Sequence, residues 1–220
     1  MKTICKRSLS VLLALILSVL ILPLGAFKSS ASGAAAQSGY STGDLITFGS
    51  YPQTKVTSSS LISALNAQTL QGDSTVNYGG SRYKRVYFTT VTNSYQATNG
   101  YNINTVYWFK FEPIQWRVLS DTNGELFVLA EKILASRAYN QVSTNVTWET
   151  CTMRSWLNND FYNIAFNSTE QAKIKTSAVV NEDNPWYGTD GGNNTNDKVF
   201  LLSYSEVMNP AYGLSSIYND

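Results

Sequence analysis

The sequence contains no histidine, two cysteines and few charged residues, and each shortage excludes a class of function. Of its 220 residues, 14% are charged, and the net charge is +1. The absence of histidine excludes Ser-His and Cys-His catalysis, histidine-ligated zinc and histidine acid–base chemistry. No run of lysine and arginine indicates binding of nucleic acid or anionic lipid. The 14 tyrosines, five tryptophans and many Asn, Ser and Thr residues instead predict a polar, uncharged surface, as in exported proteins and glycan binders.

The N-terminus has the three-part pattern of a secretory signal peptide. Cationic residues precede an apolar run over residues 9–24, and a stretch of small residues follows it. Because the run approaches the roughly 18 residues that span a membrane, an uncleaved anchor is the alternative. Pro23 and Gly25 interrupt the run, which favours cleavage. We therefore expect residues 1–31 to be removed and the protein to be secreted or associated with the cell surface.

Removal of this segment leaves a flexible leader over residues 32–43 and a single domain over residues 44–220. The removed segment holds four of the 16 basic residues and none of the 15 acidic ones, so the processed chain has a net charge of −3. Cys151 is then the one remaining cysteine, which excludes an intrachain disulfide. The fold must be stabilised by packing alone.

A β-hairpin over residues 114–129 is the clearest secondary-structure signal. Alternating apolar residues from Ile114 to Val118 have the period of a half-buried strand. Residues 121–124 (Asp-Thr-Asn-Gly) favour a turn, and residues 126–129 form the return strand. Pro113 lacks a backbone donor and should mark a bulge or the start of the strand.

The remaining elements predict an α+β fold, with a mainly antiparallel sheet and short packed helices. We expect a strand at residues 45–48, ended by Gly49 and Pro52, and a short helix with Leu61, Ile62 and Leu65 facing inward. Further strands are expected at residues 85–92, 176–180 and 198–203. Capping boxes predict helices that start at Ser168 (with Gln171) and after Ser203 (with Glu206), the latter limited by Pro210.

The stretch from Thr147 to Phe166 predicts a scaffold helix rather than a catalytic one. Thr147 or Thr150 caps it, and Asn158-Asn159 ends it, with a second apolar turn beyond. Trp148 and Trp156 should anchor it to the sheet, and Cys151 should be a buried, inert thiol because no histidine can activate it. Reactive-thiol and ligand-stacking roles are the alternatives. Arg154 should face away and serve a structural or surface role.

The long loop over residues 181–197 is the candidate ligand-binding site. Trp186, Tyr187, Asp190 and Asn193 are the residues expected to contact the ligand. A calcium site using Glu182, Asp183, Asp190 and Asp197 is an alternative, although the spacing does not match an EF-hand. A plain turn-rich connector is the third. No other cofactor is expected, and any metal ligand set is unknown.

Several segments together resemble DUF6273, a family of uncharacterised domains in exported proteins of Gram-positive bacteria. They are "LITFGSYPQT", "PIQWRVLSDTNGELFVLAEKIL", "TWETCTMRSWLNNDFYNIAFNSTEQAKI" and "DKVFLLSYSEV", covering about residues 44–207. The family has no established activity, so the resemblance implies no catalytic residues. "FLLSYSE" is also similar to a signature of the C-type-lectin-like fold of formylglycine-generating enzymes, whose catalytic cysteines have no counterpart here. Family members typically continue into a Trp-rich segment and a closing strand, so the resemblance implies that this domain is incomplete at its C-terminus.

These observations favour an exported, noncatalytic binding module that recognises a glycan or a protein at the cell envelope. One alternative is an enzyme that acts on cell-wall or other glycans through carboxylates, for which Glu112, Glu131 and Glu149 are unspecific candidates. The other is a structural surface domain without a small ligand. Neither nucleic acid nor a membrane-embedded state is expected.

Overall fold

The computed structural model describes residues 39–88, 99–122 and 124–214, together with the backbone of two strands at residues 13–15 and 19–23. The rest of the predicted signal peptide, the leader up to residue 38 and residues 89–92 of the predicted strand lie outside the described residues. The protein is α+β with a mostly antiparallel sheet and short helices, which confirms the predicted class. Within the described residues, no helix has the length and apolar character needed to cross a membrane.

The elements follow one another in this order along the described chain. The strands are β1 (Leu13–Leu15), β2 (Val19–Pro23), β3 (Leu45–Lys55), β4 (Thr75–Tyr78), β5 (Ser81–Phe88), β6 (Thr105–Thr122), β7 (Glu125–Ala130), β8 (Ser136–Ala138), β9 (Ser177–Val179) and β10 (Thr195–Asp197). The helices are α1 (Ser59–Asn66), α2 (Thr152–Trp156), α3 (Tyr162–Ala165), α4 (Ser168–Gln171) and α5 (Tyr204–Val207). A π-helical turn (Leu157–Phe161) joins α2 to α3, and a 3-10 turn (Pro210–Tyr212) follows α5.

The chain forms two compact units, residues 50–113 and residues 1–49 with 114–220. In the smaller unit, α1 packs on β4, β5 and the first part of β6. Its core consists of Leu65, Val76, Tyr83 and Trp108, with Leu61 and Ile62 partly buried against it, as the helical spacing predicted. The strand expected at residues 85–92 begins earlier, at Ser81.

The predicted hairpin forms in the larger unit. Residues 116–122 of β6 pair antiparallel with β7, and Ile114, Trp116 and Val118 are fully buried. Gly124 takes a positive φ of 83° in the turn, which glycine adopts without strain. Pro113 does not mark the start of the strand, because β6 begins at Thr105. It sits inside β6, between the residues paired with β5 and those paired with β7, and the register shift of the ladder with β7 lies between Val118 and Ser120.

The predicted end of β3 at Gly49 and Pro52 is also wrong, since the strand continues to Lys55. Gly49 bends the strand with a φ of +71° instead of ending it. A Cβ at this position would lie 2.5 Å from the ring of Phe166, so glycine is also required for close packing. Phe166 in turn packs on Phe48 and Trp116 in the core of the larger unit.

The central helix starts later and runs further than predicted. Cys151, rather than Thr147 or Thr150, caps α2, because its Sγ accepts the Arg154 N–H at 3.4 Å. The two threonines form the preceding turn, in which Thr147 O accepts the N–H groups of Thr150 and Cys151. The helix then continues through the π-helical turn to Ala165.

Asn158 does not end the helix because its side chain is used elsewhere. Its amide donates to Arg154 O at 3.1 Å and to Val199 O at 2.9 Å, and its Oδ1 accepts the N–H groups of Lys198 and Val199. Asn158 therefore ties the helix to residues 198–199. Those residues belong to the segment 198–203, where a strand was predicted and none forms.

The structure corrects that strand and one cap. β10 lies at residues 195–197, paired with β9, whereas Val199 and Phe200 are buried without extending that ladder. Helix α4 is capped by Asn167 with Glu170, one residue before the predicted box, because the Asn167 carboxamide accepts two backbone N–H groups. The capping box of Ser203 with Glu206 is confirmed.

Candidate functional site

A buried carboxylate fixes the base of the long loop to the central helix. Asp197, 2% exposed, accepts hydrogen bonds from Trp148 Nε1 (2.9 Å), Thr195 Oγ1 (2.7 Å) and Arg154 Nε (2.8 Å). We call these four residues the Asp197 cluster. Three donors satisfy the carboxylate, one of them a cation, so its burial is compensated. The cluster holds the start of α2 and the end of the loop in one rigid frame.

Polar contacts within the loop over residues 181–197 fix its conformation. The Asn184 carboxamide accepts the N–H groups of Trp186 and Tyr187, and Asn184 N donates to Thr189 O at 2.9 Å. Gly191 packs so closely that a Cβ there would lie 2.4 Å from Glu182 O. The loop is therefore a defined turn whose tip is formed by the two aromatic residues.

Trp186 contrasts with the other four tryptophans of the chain. Trp108, Trp116, Trp148 and Trp156 are at most 9% exposed, whereas Trp186 is 68% exposed. Its ring meets the edge of Tyr204, the first residue of α5, with a centroid distance of 4.6 Å and an interplanar angle of 61°. We call Trp186 and Tyr204 the aromatic pair. Tyr204 is 45% exposed, so both rings present free surface.

A cleft of about 350 Å³ lies beside this pair. Tyr204 forms part of its wall, and the rest combines polar groups of the loop with apolar side chains such as Val180 and Leu201. The cleft is lined by Tyr139, residues 146–148, residues 179–185, residues 189–191 and residues 201–204. An exposed aromatic pair beside a wall of mixed polar and apolar groups offers both apolar and hydrogen-bonding contacts to a ligand.

The comparison with known families concerns this same part of the chain. Residues 123–218 match the family described as "Domain of unknown function (DUF6273)". The matched range covers less than half of the chain. No curated protein and no solved structure matches the chain significantly. The resemblance to DUF6273 is thus confirmed, over a range that begins later than residue 44, whereas the C-type-lectin-like similarity stays a prediction.

The range that matches DUF6273 brings together some of the predicted ligand-binding residues. Asp190 lines the cleft, and Trp186 lies at the cleft through its contact with Tyr204. Tyr187 is 81% exposed at the loop tip. Asn193 is not among the residues that line the cleft, and its amide donates to Glu149 Oε2 at 3.1 Å.

Sequence reasoning did not identify Tyr204, Asn184 or Tyr139 as parts of the site. The signal for Tyr204 was present, because the capping box at Ser203 places the next residue on the first, exposed turn of a helix. Nothing in the sequence indicated that this turn lies beside Trp186, which is 18 residues earlier in the chain.

The acidic residues of the loop do not assemble into a cation site. Asp183 Oδ1 accepts Gly191 N–H, Asp190 Oδ1 accepts Gly192 N–H, and Glu182 Oε2 accepts Ser205 Oγ. Asp197 is held in its own cluster. Among the residues that the structure describes, no group of three or more His, Cys, Asp or Glu residues is arranged to hold a metal ion. The loop carboxylates therefore stabilise turns of the loop.

Cys151 is buried and free, at 2% exposure. Its Sγ contacts Trp148 O at 3.3 Å, in addition to capping α2. Burial raises the pKa of the nearby Tyr139 hydroxyl above its ordinary 10.0, and the Cys151 thiol raises it further. The thiol thus has a structural position at the helix start, consistent with the interpretation of this stretch as scaffold.

The three candidate carboxylates each have a partner of their own. Glu112 pairs with Lys110 in the smaller unit at 3.1 Å. In the larger unit, Glu131 binds Arg117 through two hydrogen bonds of 2.8 and 2.5 Å, and Glu149 accepts from Asn193. Glu149 also lines a second cavity of about 460 Å³ with Arg154 and Lys198. This cavity brings together mixed charges, without a pattern that indicates a particular reaction.

Proposed function

We propose that this protein is an exported, noncatalytic binding module that recognises a glycan at the cell envelope. The observation that carries the proposal is the exposed aromatic pair beside a cleft that contains polar groups. Large aromatic side chains are usually buried, so a contiguous exposed pair indicates an interaction surface. The signal-peptide pattern of residues 1–31 supports export, and the match to DUF6273 points to no particular activity.

A saccharide suits this surface because its apolar C–H faces match the aromatic rings and its hydroxyls match the polar groups of the cleft. The C–H face of a pyranose ring is apolar and packs on an aromatic ring such as Trp186 or Tyr204. Its hydroxyls are donors and acceptors, which Asp190, Glu182 and the loop carbonyls complement. The rigid loop lowers the ordering cost of binding, since Asn184 already holds the tip in place.

The first experiment is a glycan array with the full chain, followed by titration of each hit using tryptophan fluorescence. Trp186 is the exposed tryptophan, so a ligand on the aromatic pair shifts and shields its emission. Tyr204→Ala should weaken binding about tenfold or more, as expected for an aromatic hot spot. Tyr87→Ala is the matched control, because Tyr87 is 49% exposed but lies in the smaller unit.

The other outcomes decide among the alternatives. Release of sugar from a bound glycan would indicate the carboxylate-dependent enzyme. If no glycan binds but a protein ligand shields Trp186, the ligand class would be an envelope protein instead of a glycan. Equal loss of affinity in the Tyr204 and Tyr87 variants would refute the site. Repeating the titrations with a calcium chelator tests whether calcium contributes to binding.

A further inference from the structure

The outer edge of β7 is covered by the N-terminal segment of the chain. β2 pairs antiparallel with β7, from Val19 opposite Leu129 to Pro23 opposite Glu125. β1 also pairs antiparallel, with β8. The other edge of β7 is bonded to β6, so residues 19–23 are its second neighbour. This edge therefore accepts an antiparallel strand of at least five residues.

The covering segment is the one that the sequence predicts to be removed on export. Its removal takes away the strand that β7 pairs with on this side within the described residues, and an edge opened in this way is a template for another strand. Exposed edges are normally protected by lysine, proline or a bulge. β7 (ELFVLA) has a single charge, on Glu125 at its start, and neither lysine nor proline.

We propose that the outer edge of β7 is a strand-acceptor site that binds an extended, uncharged segment of a partner polypeptide, rich in leucine and valine, after residues 1–31 are removed. The chemistry of the occupant follows from the chain's own segment, VLILP, which fills the edge in the unprocessed chain. Backbone hydrogen bonds supply affinity in this mode of binding, and side chains at alternate positions supply specificity. The site is independent of the aromatic pair.

Hydrogen exchange on the full-length chain tests the acceptor edge directly. Leu20→Pro removes a backbone donor inside β2 and is incompatible with a paired strand. The backbone amides of residues 125–130 should then exchange hydrogen about tenfold faster or more. In this variant β7 can open locally without first losing its pairing with β2. Leu20→Val is the matched control and should leave exchange unchanged.

A lysine-flanked peptide with the sequence of residues 18–24 should restore protection of β7 in the Leu20→Pro variant, saturably and with one peptide per chain. The same peptide with proline in place of Ile21 should have no effect. Unchanged exchange in Leu20→Pro, or no response to the peptide, would overturn the proposal. Protection that returns without peptide as the protein concentration rises would overturn it in favour of pairing between two copies.

Cross-linking gives a second measurement, which does not depend on a destabilised variant. With Cys5 replaced by serine, Leu20→Cys and Val128→Cys place thiols on directly opposed residues. Mild oxidation should link this pair several-fold more than Leu20→Cys with Leu126→Cys, which lie two residues out of register. Equal linking of the two pairs would refute the register and with it the acceptor site.

Discussion

Asp197→Ala should be among the most destabilising single substitutions in the larger unit. The change removes three hydrogen bonds of 2.7–2.9 Å and leaves the buried Trp148 Nε1 without its acceptor. It also leaves Arg154, whose side chain is 28% exposed, without its counter-ion. Removal of one partner from a buried ion pair costs about 3–5 kcal/mol, and we expect a loss in this range.

Glu131→Ala is the matched control for this prediction. It also removes a carboxylate that binds an arginine in the larger unit, but the side chains of Arg117 and Glu131 are 36% and 25% exposed. Water can replace much of this interaction, so the loss should be about 1 kcal/mol or less. Asp197→Asn should fall between the two alanine variants, because the amide keeps an acceptor oxygen but loses the charge.

Urea unfolding followed by far-UV circular dichroism measures the three free energies of unfolding. The signal is dominated by the backbone amides rather than by the tryptophans, whose environments change in these variants. A cost below about 1 kcal/mol for Asp197→Ala would show that the cluster is not a stabilising frame. Equal costs for Asp197→Ala and Glu131→Ala would show that burial is not the deciding variable.

Two further predictions concern the division between scaffold and site, and pH. Trp156→Ala should lower the free energy of unfolding by about 3–5 kcal/mol, because Trp156 is 8% exposed and packs on Phe161. Trp186→Ala should change the free energy of unfolding by about 0.5 kcal/mol or less, because Trp186 is exposed. Equal thermal shifts for the two variants would contradict that division. The raised pKa of Tyr139 means that its neutral form stabilises the fold below pH 10.0, and that stability falls as the pH rises above this value, because the unfolded phenol ionises first. Urea midpoints at increasing alkaline pH should fall less steeply in Tyr139→Phe, and identical slopes would show that this hydroxyl does not contribute.

The secondary-structure errors have a common cause. Gly49 and Pro52 do not end β3, Asn158 does not end the central helix, and residues 198–203 form no strand. In each case a local preference is outweighed by a contact with a residue distant in sequence, such as Phe166 with Gly49 or Val199 with Asn158. Such contacts leave no periodic pattern by which the sequence would reveal them.

The sequence alone determined the features that depend on local periodicity and composition. These are the α+β class, the hairpin, the burial of Trp148, Trp156 and Cys151, and the capping box at Ser203. Hydrophobic burial depends on the type of each residue, so the spacing of apolar residues along the chain predicts which side chains are buried.

Only the tertiary structure decided which polar groups meet. It placed Asp197 with Trp148 and Arg154, and it placed Tyr204 beside Trp186 at the cleft. A carboxylate at the surface and one at the centre of a buried cluster have the same local sequence signal. Their difference lies in the desolvation and hydrogen bonding that arise once distant segments are packed together.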